Sequence, residues 1–325
     1  MKPKNCCQIC GNSRGNVVYL LREMMFGLKD VFTYFQCSNC LCLQIVQIPS
    51  NISRYYPSGY YSLSSRIQIR NRIEEQLLLL RDQYAFSRKG LVGRIVYSFF
   101  PSLAMSHISS IGVAANAKIL DVGCGSGRHL LVLYRQGYKN LVGIDPFLDK
   151  DLEINKELRI YKKTIDEVDG KFDLIMFHHS LEHMPNQFST FQAISRLLNL
   201  EGLCLIRIPT VSSYAWEKYR INWASIDAPR HFFLHSHKSI RFLAQLAQLS
   251  VTEIKGDSTE FQFWASEQYS NNVPLLSRKS ILKNPFKLVL MRSQIKFWKQ
   301  KAHLLNRQGK GDQIAILLKK NILEQ

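Results

Sequence analysis

The run Ile119-Leu120-Asp121-Val122-Gly123-Cys124-Gly125-Ser126-Gly127-Arg128-His129-Leu130-Leu131 constrains this chain more than any other feature. Apolar residues lead into three alternating glycines, and an amphipathic run follows. Glycine is required where a turn adopts dihedrals that a Cβ opposes and where backbone must approach a ligand closely, while the helix start offers free N–H groups. The segment therefore reads as strand, tight turn and helix. Its second half is Gly143-Ile144-Asp145, an apolar strand ending in a carboxylate 18 residues after Gly127. A carboxylate there can accept both ribose hydroxyls of an adenosine.

From Ala117 onward, short apolar runs alternate with helix-length amphipathic segments. The expected strands are 118–122, 141–144, 159–165, 172–177, 203–208 and 251–254. Such alternation predicts an α/β fold with a parallel, Rossmann-like doubly wound sheet. The best last strand, 313–318, comes more than fifty residues after 251–254, so a segment at about 258–310 reads as an insertion. The chain thus divides into residues 1–50, a helical connector over 51–112, and a main domain over 113–325.

Six of the eight cysteines lie in the first 42 residues. Cys7-x2-Cys10 and Cys37-x2-Cys40 are two knuckles separated by 26 residues, with a β-rich run leading into the second. Four thiolates so arranged form a zinc ribbon, whose closed coordination serves structure and not catalysis. Cys6 or Cys42 can replace a neighbour in the ligand set.

The glycine spacing is G-x-G-x-G, and Asp121 stands two residues before the first glycine. A pyrophosphate disfavours a carboxylate there, whereas a cofactor with an ammonium and a sulfonium is attracted by it. With these motifs in order, residues 113–256 resemble the class I S-adenosylmethionine (SAM) dependent methyltransferases. The resemblance implies SAM as cofactor, with Asp121, Gly123, Gly125 and Gly127 at its methionine end, Asp145 on the ribose, and Thr164 and Ile165 beside adenine. Tyr60 and Tyr61 resemble aromatic residues that close over the cofactor. A role in packing suits them equally.

Acceptor chemistry is expected at strand exits. His178, His179 and His183 follow the fourth strand, and Ser180-Leu181-Glu182-His183 resembles that family's fourth motif. Trp223 with Asp227-Ala228-Pro229-Arg230-His231 resembles a segment of a glycan- or small-molecule-tailoring subgroup. His231 is nominated there as general base, since an imidazole suits removal of a hydroxyl proton, with Arg230 as an anion-binding or orienting group; a His231 that buttresses the segment through a backbone bond suits it equally, and His178, nearest the strand end, is the pocket residue. A similar zinc module precedes the SAM domain in sugar C-methyltransferases, but those relatives have a further C-terminal domain for which this chain is too short, which favours an O-methyl or other small acceptor.

The net charge is +18 over 325 residues, and residues 278–310 hold ten Lys and Arg with no acid. This basic stretch, interleaved with apolar residues, suits an anionic membrane surface or a solvated helix face. With the zinc ribbon it also keeps an RNA methyltransferase as the alternative to a small-molecule one; a non-catalytic binding protein is a third reading. No signal-like or membrane-spanning run appears, so a cytoplasmic protein, peripheral to the membrane if the stretch docks there, is expected.

Overall fold

The computed structural model describes residues 6–56 and 72–321. Twelve strands among them form two sheets. The N-terminal sheet contains β1 (Val17–Arg22), β2 (Val31–Gln36) and β3 (Leu43–Ile45). The main sheet takes β4 (Lys118–Val122), β5 (Asn140–Ile144), β6 (Leu152–Glu153), β7 (Leu158–Tyr161), β8 (Phe172–His178) and β9 (Leu198–Pro209). β10 (Phe233–Leu234) returns to the N-terminal sheet, where it pairs antiparallel with β3. β11 (Leu249–Gly256) and β12 (Gln313–Lys320) complete the main sheet.

The main sheet runs β11-β12-β9-β8-β4-β5-β7-β6. Its centre is parallel, as the βαβ alternation requires, since parallel neighbours need a helical crossover. Both edges depart from the all-parallel expectation. β12 inserts antiparallel between β9 and β11, and β6 pairs antiparallel with β7. The third strand is also shorter than expected, because Thr164 caps a 3-10 turn, Ile165–Glu167, through a reciprocal bond with Glu167.

Strand residues alternate between two cores, the period-2 consequence of a pleated sheet. Leu120, Val122 and Ile175 face the layer that includes the N-terminal sheet and helices Gln187–Leu197 and His237–Leu246. Ile119, Leu174 and Met176 face helix Arg128–Arg135 and the helices Arg72–Ser87 and Leu103–Ile111. The basic stretch includes helix Arg292–Arg307, which buries Trp298, Ala302 and Leu305 against the first layer. No helix among the described residues is long and apolar enough to cross a membrane.

Candidate active site

Register places the chemistry on one rim. Val122 pairs with Ile144 and with Phe177, so β4 and β5 end level while β8 runs one residue further, and Gly123, Asp145 and His179 follow the three strand ends. The glycines are needed here for a reason that sequence alone does not give. At Gly123 (φ +72°) a Cβ would lie 2.4 Å from Ser180 Cβ, and at Gly127 (φ +76°) it would lie 2.2 Å from Ile160 Cδ1. The turn is packed against the neighbouring strand exits, so backbone conformation and close approach both demand glycine.

Asp145 stands at the end of β5, where Gly125 N–H donates to its Oδ2 (3.0 Å) and Phe147 N–H to its Oδ1 (2.9 Å). Burial raises its pKa, against the pull of those two N–H groups. Each carboxylate oxygen keeps a second lone pair for a ribose hydroxyl. Asp121 is buried, and neither of its oxygens has a hydrogen-bond partner. Burial, with the Asp145 charge nearby, pushes its carboxyl up to about 7. An orphaned buried carboxylate is costly unless a cation or donor meets it. The residues therefore fit SAM: an acid awaiting a positive group, a second acid with free lone pairs one strand over, and a glycine turn between them.

A cavity of about 230 Å³ opens at this rim, lined by Gly123, Asp145, Phe147, Thr164, Ile165 and Asp166 on one side and by Tyr56, His179, Ser180 and His183 on the other. Thr164 and Ile165 thus face the same space as Asp145. Tyr60 and Tyr61 lie outside the described residues. Tyr56, from the same aromatic loop, stacks on Phe147 with ring centroids 6.2 Å apart and places its hydroxyl 3.3 Å from His183 Nδ1.

None of the nominated acceptor-side residues, His178, Arg230 and His231, lines this cavity. His178 shares strand parity with Leu174 and Met176, so it turns to the opposite layer and packs on His129 at 4.4 Å. It does not line the cavity. The next residue does: His179 takes a positive φ of 55°, an uncommon backbone state for a non-glycine residue that swings its ring to the rim. Arg230 is fully buried; its guanidinium binds Asp227, Glu23 Oε1 (3.0 Å) and Tyr55 O (3.1 Å). It staples the segment to the N-terminal sheet and offers nothing to a substrate anion. His231 sits behind His183, with ring centroids 4.7 Å apart, and donates from Nδ1 to Ser225 O (2.9 Å). Burial, with His183 alongside, lowers its pKa to about 4.

Beneath these histidines lies Glu182, fully buried, with His179 Nδ1 at 3.5 Å and His231 Nε2 at 4.0 Å from its Oε1. Burial pushes its pKa up, but His179, His231 and His183 together hold the carboxyl down at about 2. In the sequence Glu182 stands out only as part of a motif. The signal that finds it is its spacing of three from His179, which meets it across the turn Leu181–His183.

In the N-terminal sheet, the sulfurs of Cys7, Cys10, Cys37 and Cys40 all lie within 4.8 Å of one another. Cys7 Sγ is 3.5 Å from Cys40 Sγ, and Cys10 Sγ is 3.5 Å from Cys37 Sγ. All are free thiols. A tetrahedron of Zn–S bonds of about 2.3 Å sets sulfurs nearly 3.8 Å apart, so the cluster has the size of such a site. Cys42 points elsewhere, 4.0 Å from His235 Nδ1, and Cys6 contacts Gly11 O.

Among known families, the one described as "Methyltransferase domain" matches residues 100–254. No curated protein matches the chain. Similar solved structures include a Galdieria sulphuraria protein described as a sarcosine dimethylglycine methyltransferase, at 17% identity over 72% of this chain and 90% of that one, with a TM-score of 0.44. Another is the Burkholderia thailandensis 1,6-didemethyltoxoflavin-N1-methyltransferase with bound S-adenosylhomocysteine, at 15% identity over 77% and 90%, with a TM-score of 0.39. A third is the mycolic acid cyclopropane synthase CmaA1 with S-adenosylhomocysteine, at 16% identity over 76% and 94%, with a TM-score of 0.45. Family match, sheet topology and the Asp121–glycine–Asp145 rim agree: the chain carries a SAM-dependent methyltransferase domain over residues 100–254.

Proposed function

We propose that this protein methylates a hydroxyl of a sugar, a glycan intermediate or another small molecule. The observation that carries this reading is the His179–Glu182 pair at the cavity wall. Glu182 orients His179 through Nδ1, leaving Nε2 for the proton of an acceptor hydroxyl. SAM, when bound, supplies an electrophilic methyl on a positively charged sulfur. Asp121 and the glycine turn hold its methionine end, Asp145 its ribose, and Thr164 and Ile165 its adenine. Tyr56 and Phe147 wall the space from water, and His179 takes the hydroxyl proton as the oxygen becomes a nucleophile. A base in this position contributes typically 10²–10⁴-fold. His179→Ala is expected to lower kcat by about 10²-fold or more while SAM affinity in calorimetry stays within a few-fold. His231→Ala should cost less, since His231 does not reach the cavity wall. A His179→Ala enzyme with normal turnover would remove the assignment.

Asp145→Ala should weaken SAM binding by about 1–3 kcal/mol through loss of charge-assisted hydrogen bonds, read by the same titration. The four clustered thiolates are read as a structural zinc site. An RNA acceptor finds less support: none of the basic residues of 278–310 lines the cavity, and the stretch turns Trp298, Ala302 and Leu305 inward. Acceptor identity is tested by incubating cell extracts with isotopically labelled SAM and the protein, then finding by mass spectrometry which metabolite, glycan or RNA gains the label.

A further inference from the structure

Behind the cavity wall, Glu182, His183 and His231 bring one ligand atom each to within 4.8 Å of one another. Tautomers follow from their partners. His183 Nδ1 lies 2.8 Å from Arg230 O and His231 Nδ1 2.9 Å from Ser225 O. A carbonyl oxygen only accepts, so both Nδ1 atoms carry hydrogen and Nε2 is the ring nitrogen left to each as a ligand atom. Neither Glu182 oxygen has a hydrogen-bond partner, although the side chain is fully buried. The His231 Nε2 lone pair therefore faces two carboxylates, Glu182 Oε1 at 4.0 Å and Asp227 Oδ2 at 3.9 Å, and the nearest donor to Glu182 is His179 Nδ1 at 3.5 Å. Acceptors converging in a buried space are repulsive unless a cation lies among them.

We propose that Glu182, His183 and His231 form a binding site for a divalent first-row transition ion beside the cofactor cavity. Two histidines and one carboxylate are a donor set that leaves open positions on such an ion. Each histidine donates its other ring N–H to a backbone carbonyl, the support that fixes ligand orientation at metal centres. Metal–ligand bonds near 2.1 Å need ligand atoms about 3.0–4.2 Å apart; His231 Nε2 and Glu182 Oε1 stand 4.0 Å apart, and the three ligand atoms, all within 4.8 Å, close further around an ion. His183 lines the cavity, which turns an open coordination position toward the acceptor. The ion would there hold the acceptor hydroxyl and make its proton easier for His179 to remove. This role rests on the methyltransferase reading; the binding site does not.

Mn²⁺ is the probe, because it prefers nitrogen and oxygen donors to the cysteine cluster. Full-length protein with its cysteine sites loaded with zinc is titrated with Mn²⁺, and loss of the free-ion electron paramagnetic resonance signal counts bound metal. One Mn²⁺ per chain is expected, with affinity falling about 100-fold in Glu182→Gln and in His231→Gln. If Glu182→Gln fails to melt cooperatively, His183→Gln takes its place. No Mn²⁺ bound by a wild-type protein that still binds SAM in calorimetry overturns the metal site alone. Unchanged Mn²⁺ affinity in the folded variants overturns it as well. Loss of SAM binding in the wild type would instead strike the cofactor reading.

Discussion

Replacing Asp121 with Asn is expected to make the ligand-free protein more stable at neutral pH and to abolish SAM binding. The carboxyl is buried without a hydrogen-bond partner, with His129 Nδ1 3.9 Å from Oδ2, and burial pushes its pKa up to about 7, against an ordinary value of 3.8. The folded state thus holds a proton that the unfolded chain releases between these values. Stability is greatest below about pH 4, declines as pH rises toward 7, and is flat above. The gap of about three pH units corresponds to at most about 4 kcal/mol, and Asn, which carries no charge, should recover about 1–3 kcal/mol of it at pH 8. At pH 5 the advantage should shrink, because wild-type Asp121 is then largely protonated. Urea unfolding at the two pH values checks this; an equal difference at both would overturn it. Binding runs the other way. A cationic ligand needs the ionised acid, so wild-type affinity should rise with pH up to about 7 and level off, and Asp121→Asn should lose about 100-fold or more.

Removing the zinc proposed for the cysteine cluster is expected to have the second large effect. Chelation, or Cys37→Ser, should abolish stoichiometric zinc in atomic spectroscopy. A structural zinc contributes about 10–16 kcal/mol in small zinc modules, so the N-terminal sheet should lose its cooperative melt. The consequence reaches the acceptor side. β3 pairs with β10, Tyr34 Oη–H donates to His231 O (2.8 Å), and Glu23 binds Arg230, so the same sheet holds the segment carrying His231. The SAM rim belongs to the other sheet. Methyl transfer is therefore expected to fall by about 10²-fold while SAM affinity changes by a few-fold at most. Retained turnover in fully zinc-free protein would break this coupling.

Much of the cofactor side is legible in the sequence. A glycine turn restricts its own dihedrals, and the strand periodicity that surrounds Asp121 and Asp145 is local, so residues within about thirty positions of one another fix that geometry. The two cysteine knuckles are legible for the same reason. The acceptor side is not. Whether His178 or His179 meets the cavity depends on strand parity and a positive φ of 55° at one residue. Arg230 reads as a group for substrate, and it is consumed by Glu23, more than two hundred residues away. The convergence of Glu182, His183 and His231 needs β10 to cross back to the N-terminal sheet. By itself the sequence determined the strand–turn–helix and its acids, because short-range sterics and spacing decide them; only the tertiary structure decided which histidines face the chemistry, because long-range pairing sets the direction in which each strand exit points.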